Sequence, residues 1–289
     1  MKGIILAAGS GTRLSPATTP ISKILLPIFD RPMIYYPLSI LMTASVRDIL
    51  IITNEKDADN FKRTLGDGSQ YGVSISYDIQ HVQRGISDAF IIAEKWIGDD
   101  DVVLILGDNI FYGNSLKSSM MEASSSDKPA VIFGYRVSDP ERFGVVEFDE
   151  KLNVISLEEK PENPKSDYAV IGLYFYREDV CSKAKTLNPS KRGELEITDL
   201  NNIYLVENHL SVILLKNDVK WMDAGTFDSI LEASNFISEE EKKIGKKILC
   251  PETTACEMGF VSKDRMIEWV KSRDMSDYYK SVLKELSIR

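Results

Sequence analysis

Gly3-Ile4-Ile5-Leu6-Ala7-Ala8-Gly9-Ser10-Gly11-Thr12-Arg13-Leu14-Ser15-Pro16 is the stretch that decides the fold. Its first six residues form a short, continuous apolar run with branched side chains, bounded by glycine. That pattern predicts a strand buried on both faces. Working outward, Asp48 to Thr53, Ser74 to Gln80 and Asp101 to Leu106 read as further strands. Pro32 to Ala44, Asp57 to Leu65 and Gly85 to Trp96 carry helical spacing between them. Strands alternating with helices imply an α/β fold: a Rossmann-like, mixed but mostly parallel sheet flanked by helices. Ligands of such sheets bind at the carboxyl ends of the strands, where the glycine loop lies.

The middle of the chain changes character. Ala130 to Tyr135, Gly144 to Phe148, Val154 to Glu159 and Ala169 to Tyr176 look like strands with an antiparallel habit. Thr226 to Gly245, Ser262 to Lys271 and Met275 to Leu286 look helical. The expected organisation is one core over residues 1–225 and a small helical C-terminal appendage over 226–289. No internal repeat, low-complexity segment or linker stands out.

Composition narrows the function classes. The chain has 289 residues, 43% hydrophobic and 27% charged, an ordinary globular balance. A formal net charge of −9 argues against nucleic acid as a partner, because phosphate contacts need clustered Lys and Arg. A local basic pocket inside an acidic whole stays open. Cys181, Cys250 and Cys256 form no metal-binding or disulfide spacing, which suits a reducing cytoplasm. Two histidines, His81 and His209, leave little for a His-based metal site. Met1-Lys2 leads straight into the first strand without a signal pattern, and no apolar stretch is long enough for a membrane. A cytoplasmic protein without membrane partners is expected.

The loop after the first strand is suited to an anion. Gly9 and Gly11 let backbone N–H groups converge, and Arg13 adds a forked, permanent cation. It is not a Walker A loop, which needs Lys followed by Ser or Thr after its second glycine where Thr12-Arg13 stand. It is not a dinucleotide fingerprint, because Leu14 occupies the position of the third glycine. A plain turn with a solvated arginine is the bland alternative, and Pro16 and Lys23 downstream weigh against it.

Gly9-x-Gly11-Thr12-Arg13-Leu14-x-Pro16-x-Thr18, with Lys23 and Leu25-Leu26-Pro27, resembles the signature of the sugar nucleotidyltransferases, in particular the short bacterial glucose-1-phosphate thymidylyltransferases. Further matches run along nearly the whole chain: Gln80 with Gly85, Leu106-Gly107-Asp108-Asn109, Arg142-Phe143-Gly144-Val145, Glu158-Glu159-Lys160-Pro161, Gly172-Leu173-Tyr174, Arg192 to Asp199, and Trp221 to Thr226. The resemblance implies transfer of a nucleotidyl group from dTTP to glucose 1-phosphate, giving dTDP-glucose and pyrophosphate. That reaction is the first step of deoxysugar nucleotide synthesis. It also implies Mg²⁺, a homotetramer, a nucleotide-binding part at about 1–110 and a sugar-binding part at about 111–225.

In such a reaction the nucleophile is already an anion, so the protein has to position two polyanions and neutralise them. By resemblance, Arg13, Lys23, Asp108 and Asp223 are the catalytic candidates, with Asp108 and Asp223 holding Mg²⁺ through oxygen ligands. Leu6, Ala8, Gly9, Gly11, Thr12, Gln80 and Gly85 would line the nucleotide, the Gln80 amide pairing with a pyrimidine edge. Asp108, Gly144, Glu159, Lys160, Gly172 and Arg192 would hold the sugar phosphate. Taken alone, Asp108 reads as a turn residue, Glu158-Glu159-Lys160 as a solvated charge run, and Tyr174 as core.

The sequence departs from the family after Gly85, where Ile86-Ser87-Asp88-Ala89 replaces Leu-Ala-Gln-Ala. Asp88 places an anion near a triphosphate site. The segment Asn114 to Met120 also departs from the part that contributes to product feedback in relatives. The alternatives are the same chemistry with UTP or another hexose 1-phosphate, a catalytically silent sugar-nucleotide-binding regulator, and a nicotinamide oxidoreductase, which Leu14 disfavours.

Overall fold

The computed structural model describes residues 1–177 and 179–288. Its strands are β1 (Lys2–Leu6), β2 (Pro27–Ile28), β3 (Arg31–Pro32), β4 (Asp48–Thr53), β5 (Ser74–Ile79), β6 (Val102–Leu106), β7 (Asn109–Tyr112), β8 (Ala130–Arg136), β9 (Gly144–Phe148), β10 (Val154–Glu159), β11 (Tyr168–Tyr176), β12 (Leu210–Leu214) and β13 (Lys220–Asp223). Its helices are α1 (Tyr35–Thr43), α2 (Ala58–Leu65), α3 (Asp88–Ile92), α4 (Glu94–Ile97), α5 (Leu116–Ser125), α6 (Val180–Ala184), α7 (Ile197–Val206), α8 (Phe227–Ile244), α9 (Pro251–Glu257), α10 (Lys263–Lys271) and α11 (Asp277–Leu286).

The main sheet runs β10-β9-β11-β6-β1-β4-β5, with β8 against β11 and β12 beyond it. β6, β1, β4 and β5 are parallel, while β11 lies antiparallel to β6. The expected mixed, mostly parallel sheet flanked by helices is therefore the observed one. The continuous apolar runs are explained by burial on both faces. Ile5, Ile49, Ile51, Val103 and Ile105 belong to one core, and their neighbours Ile4, Leu50, Ile52, Val102 and Leu104 belong to the other. A period of two sends successive side chains to opposite faces, so neither face can be polar.

The C-terminal helices share the first of these cores. Ala233, Ile237, Cys250, Val282 and Leu286 pack in the same cluster as Tyr36 and Leu41 of α1. α8 starts at a capping box on Thr226 and Ser229 and ends at left-handed Gly245, which explains the sequence-readable limits of that helix. Buried Arg31 donates to Glu241 of α8 at 2.7 Å and to the Ile248 carbonyl at 2.5 Å. Lys247 pairs with both Asp30 and Glu241. Among the described residues, no helix is long and apolar enough to cross a membrane.

A small ribbon, β7 against β13, matters most for the site. It pairs Asn109 with Asp223, and the Ala224 N–H donates to the Asp108 carbonyl at 2.9 Å. Two aspartates far apart in sequence are thereby brought side by side at the carboxyl end of β6.

Candidate active site

A cavity of about 500 Å³ opens at the carboxyl ends of the central strands. It brings together Arg13, Lys23, Asp108, Gly144, Glu159, Lys160, Gly172, Arg192 and Asp223, all singled out in the sequence. Leu6, Ala8, Gly9, Gly11, Thr12, Gln80 and Gly85 do not line it. Leu6 ends β1 and the others sit on the loops after β1 and β5. Two contacts join these loops to each other and to the cavity. The Gln83 amide donates to the Ala8 carbonyl at 2.9 Å. A Cβ on Gly9 would lie 3.5 Å from Lys23 Cε, so the lysine crosses the glycine loop on its way to Asp108.

At one end of the cavity Lys23 is ion-paired with Asp108, and Asn109 Nδ2 donates to the other Asp108 oxygen at 3.0 Å. Burial is the largest influence on the Asp108 pKa and works to raise it, but the Lys23 charge together with the hydrogen bonds from Lys23 and Asn109 outweighs it and holds the carboxyl below its usual value. Asp223 behaves oppositely. Burial, then the nearby Asp108 charge, push its carboxyl from 3.8 up to about 6, against the pull of Lys23, Arg13 and Arg142. Arg13 reaches this pair beside Gly225, where a Cβ would fall 2.9 Å from Arg13 Nη2 and 3.3 Å from Asp223 Oδ1. Any larger residue there would separate the guanidinium from the aspartate.

At the other end, Glu159 accepts from the Thr198 hydroxyl at 2.6 Å and from Arg192 at 3.3 Å. Lys160 Nζ lies 3.6 Å from the same carboxylate. Arg192 also pairs with Glu194 at 3.5 Å and Glu196 at 2.8 Å. Lys160 has φ 45, a left-handed conformation that costs a non-glycine residue about 1–3 kcal/mol. Its N–H donates to the Phe143 carbonyl at 3.0 Å, which holds it there. The wall between the two ends is aromatic: Trp221 meets Phe143 edge-on at 5.2 Å.

The structure corrects two expectations. Gly85 does not open a helix; α3 starts at Asp88. Gly85 has φ 97 and abuts Leu195, whose backbone oxygen would be 2.6 Å from an added Cβ. Residues 84–87 are stitched to this segment, with Leu195 N donating to the Arg84 carbonyl at 2.5 Å, Ser87 N to the Leu195 carbonyl at 3.2 Å, and Ser87 Oγ to the Glu196 carbonyl at 3.1 Å. Asp88 is also no loose anion. It is 1% exposed and accepts from Arg84 at 2.6 Å.

Some site residues were not picked out from sequence. Asn109 is buried and ties three elements: besides Asp108, its Oδ1 accepts from Gly172 N at 3.2 Å and Trp221 Nε1 at 2.7 Å. Trp221, Asn109 and Thr198 lie inside the quoted motifs, which was the only available signal. By its setting on an apolar strand Tyr174 reads as core. It is 3% exposed yet contributes to the cavity wall.

The fold and this charged, two-ended cavity define a nucleotidyltransferase, and the chain belongs to the nucleotidyl transferase family, whose model matches residues 2–240. A glucose-1-phosphate thymidylyltransferase of Neisseria meningitidis serogroup A is 50% identical over 286 residues, 99% of each chain. A crystal structure of a Bacillus anthracis protein, assigned provisionally as a glucose-1-phosphate thymidylyltransferase and bound to sucrose, is 42% identical. It superposes with a TM-score of 0.76 over 82% of this chain and 94% of that one. A UDP-glucose pyrophosphorylase complexed with UDP-glucose is 26% identical, with a TM-score of 0.72 over 83% of this chain and 98% of its own.

Proposed function

We propose that this enzyme transfers a thymidylyl group from dTTP to glucose 1-phosphate, giving dTDP-glucose and pyrophosphate. The observation that carries the reading is the cavity itself, with Arg13, Lys23, Asp108 and Asp223 at one end and Glu159, Lys160 and Arg192 at the other. A sugar-phosphate oxygen attacks the α-phosphorus of the triphosphate. The bond to the bridging oxygen of the β-phosphate breaks, and its electron pair leaves with pyrophosphate. No protein nucleophile is needed, and among the described residues none of the cavity lining is serine, cysteine or histidine.

Arg13 stands where a departing pyrophosphate would gain charge, and its guanidinium suits forked phosphate contacts. Lys23 exchanges Asp108 for phosphate oxygens. Lys160 and Arg192 hold the sugar phosphate, and Glu159 takes sugar hydroxyls as its cationic partners turn to the phosphate.

The donor set fits Mg²⁺. Arg13, Lys23, Arg142, Lys160 and Arg192 face Asp108, Glu159, Glu194, Glu196 and Asp223 in one lining, so cations and carboxylates balance before any substrate arrives. Two polyanions then exceed what the protein alone neutralises. Asp108 and Asp223 would hold the ion, leaving its remaining positions to phosphate oxygens and water. When bound it supplies charge neutralisation at the phosphates.

A homotetramer in the cytoplasm is part of the same proposal. Phe227 and Leu231 stand exposed one turn apart on α8, a face a second copy could cover, and all three cysteines are free. Sedimentation velocity tests the assembly.

Pyrophosphate release with glucose 1-phosphate and each of dTTP, UTP, dCTP and ATP, with and without Mg²⁺, tests the reaction. Fastest Mg²⁺-dependent release is expected with dTTP. No release with any triphosphate would sink the reading in favour of a binding protein.

A further inference from the structure

The Gln80 amide is locked in one orientation by groups around it. Its Nε2 donates to the Gly85 carbonyl at 3.2 Å and to Asp88 Oδ2 at 3.0 Å, which uses both of its hydrogens. The second Asp88 oxygen accepts from Arg84 at 2.6 Å. A carboxylate paired with a guanidinium accepts and does not donate. Turning the amide over would therefore set its oxygen against two other oxygens. Nothing among the described residues donates to Gln80 Oε1, and that oxygen is not sealed in the interior.

The position of this oxygen follows from the sheet. Gln80 N donates to the Thr53 carbonyl at 2.8 Å, at the carboxyl ends of β4 and β5. Gln83, three residues on, reaches the Ala8 carbonyl at the start of the glycine loop. The locked amide thus borders the space between the loops after β1 and β5, where the proposed function puts the nucleoside.

We infer that Asp88, held by Arg84, is a positioning residue that fixes Gln80 as an obligate acceptor and so sets base specificity. Thymine and uracil present an N3–H donor between two carbonyls, and it can give its hydrogen to Gln80 Oε1. Cytosine presents a lone pair at N3 and would meet the oxygen with repulsion. The device selects the pyrimidine imide against cytosine, and it does not separate dTTP from UTP, whose imides are the same. Asp88 replaces the family's glutamine without adding a charge to the triphosphate site, because Arg84 neutralises it.

The inference rests on the nucleotide-binding reading of these loops, and its test uses equilibrium binding rather than turnover. Calorimetric titration of the protein with dTTP and with dCTP gives a ratio of dissociation constants for one preparation, in which any inactive fraction cancels. The unmodified protein should favour dTTP. Asp88→Asn offers the amide a donor as well as an acceptor, so Gln80 can turn. The preference should fall about tenfold, the factor one neutral hydrogen bond carries, with dCTP binding gaining. Asp88→Ala should narrow it too. Equal binding of the two triphosphates by the unmodified protein, or an unchanged ratio in both variants, would overturn the assignment. A failure of pyrophosphate release with intact discrimination would count against the proposed reaction instead and leave the Asp88 role standing.

Discussion

Replacing Asp223 by asparagine should make the protein more stable and less active. In the folded protein the Asp223 carboxyl is pushed from 3.8 up to about 6 by burial and by Asp108. Each unit of such a shift corresponds to about 1.4 kcal/mol. The raised value means that the folded state disfavours ionisation. Stability is fully present below the unfolded pKa and is lost as pH rises through the folded one. By that relation the ionised carboxylate costs the fold about 1 kcal/mol near pH 4.5 and about 3 kcal/mol near pH 7.5. Asp223→Asn keeps the shape and removes the charge. Urea unfolding followed by tryptophan fluorescence, in the absence of divalent cations, should show the variant more stable by about 2–3 kcal/mol near pH 7.5. The gain should shrink by about 2 kcal/mol near pH 4.5. Pyrophosphate release should be lost at every pH. A variant less stable than the parent near pH 7.5, or one whose gain does not change with pH, would refute the account of two mutually repelling carboxylates held for a cation.

Three other changes probe the rest of the cavity. Arg13→Ala should reduce pyrophosphate release by about 10²–10³-fold with little loss of stability, because Arg13 is exposed; an unaffected rate would remove it from the mechanism. Asn109→Leu should cost about 2–4 kcal/mol in urea unfolding, since it strands the Gly172 N–H and leaves Trp221 Nε1 and Asp108 each short of a partner; a loss under about 0.5 kcal/mol would mean that water replaces the amide. Thr198→Val removes the donor that orients Glu159. Steady-state kinetics should show KM for glucose 1-phosphate raised about tenfold with KM for dTTP unchanged, and equal rises in both would argue against a sugar-specific role for Glu159.

The centre of the sheet was readable because β1, β4 and β6 are short runs of apolar, mostly branched residues. β4, β9 and β10 match their sequence limits, and α8 announces itself by a cap and a terminal glycine. α7 was not readable. Its buried face carries the polar Thr198 and Asn201 while the apolar Val206 stands exposed on the other, so polarity does not follow burial and the helical stripe is blurred. β7 and β13 were missed because each has only four residues and pairs with a partner far away in sequence. Nothing local to Asp108 or Asp223 says that they meet. Asp88 was opaque for a related reason: its meaning lies in Arg84 one turn back and in Gln80 at the end of another element.

An acidic chain that binds two polyanions poses a problem of charge, and an excess of cations in the site would be the simplest answer. The cavity answers it differently. Its cations already have carboxylate partners: Lys23 with Asp108, Lys160 with Glu159, and Arg192 with three glutamates. Such pairs hold long side chains in place before the substrate comes, which lowers the entropy lost on binding. Exchange then serves both partners. In the proposed reaction a lysine that turns to a phosphate would free a carboxylate for a ligand of its own, sugar hydroxyls at Glu159 and a divalent cation at Asp108. Arg13 is the exception, exposed and without a hydrogen-bond partner among the described residues. It borders Asp223, a carboxyl whose ionisation the folded protein resists. The glycine loop therefore contributes an available cation, while the turn into β7 and the end of β13 contribute Asp108 and Asp223, and Arg13 meets Asp223 beside Gly225.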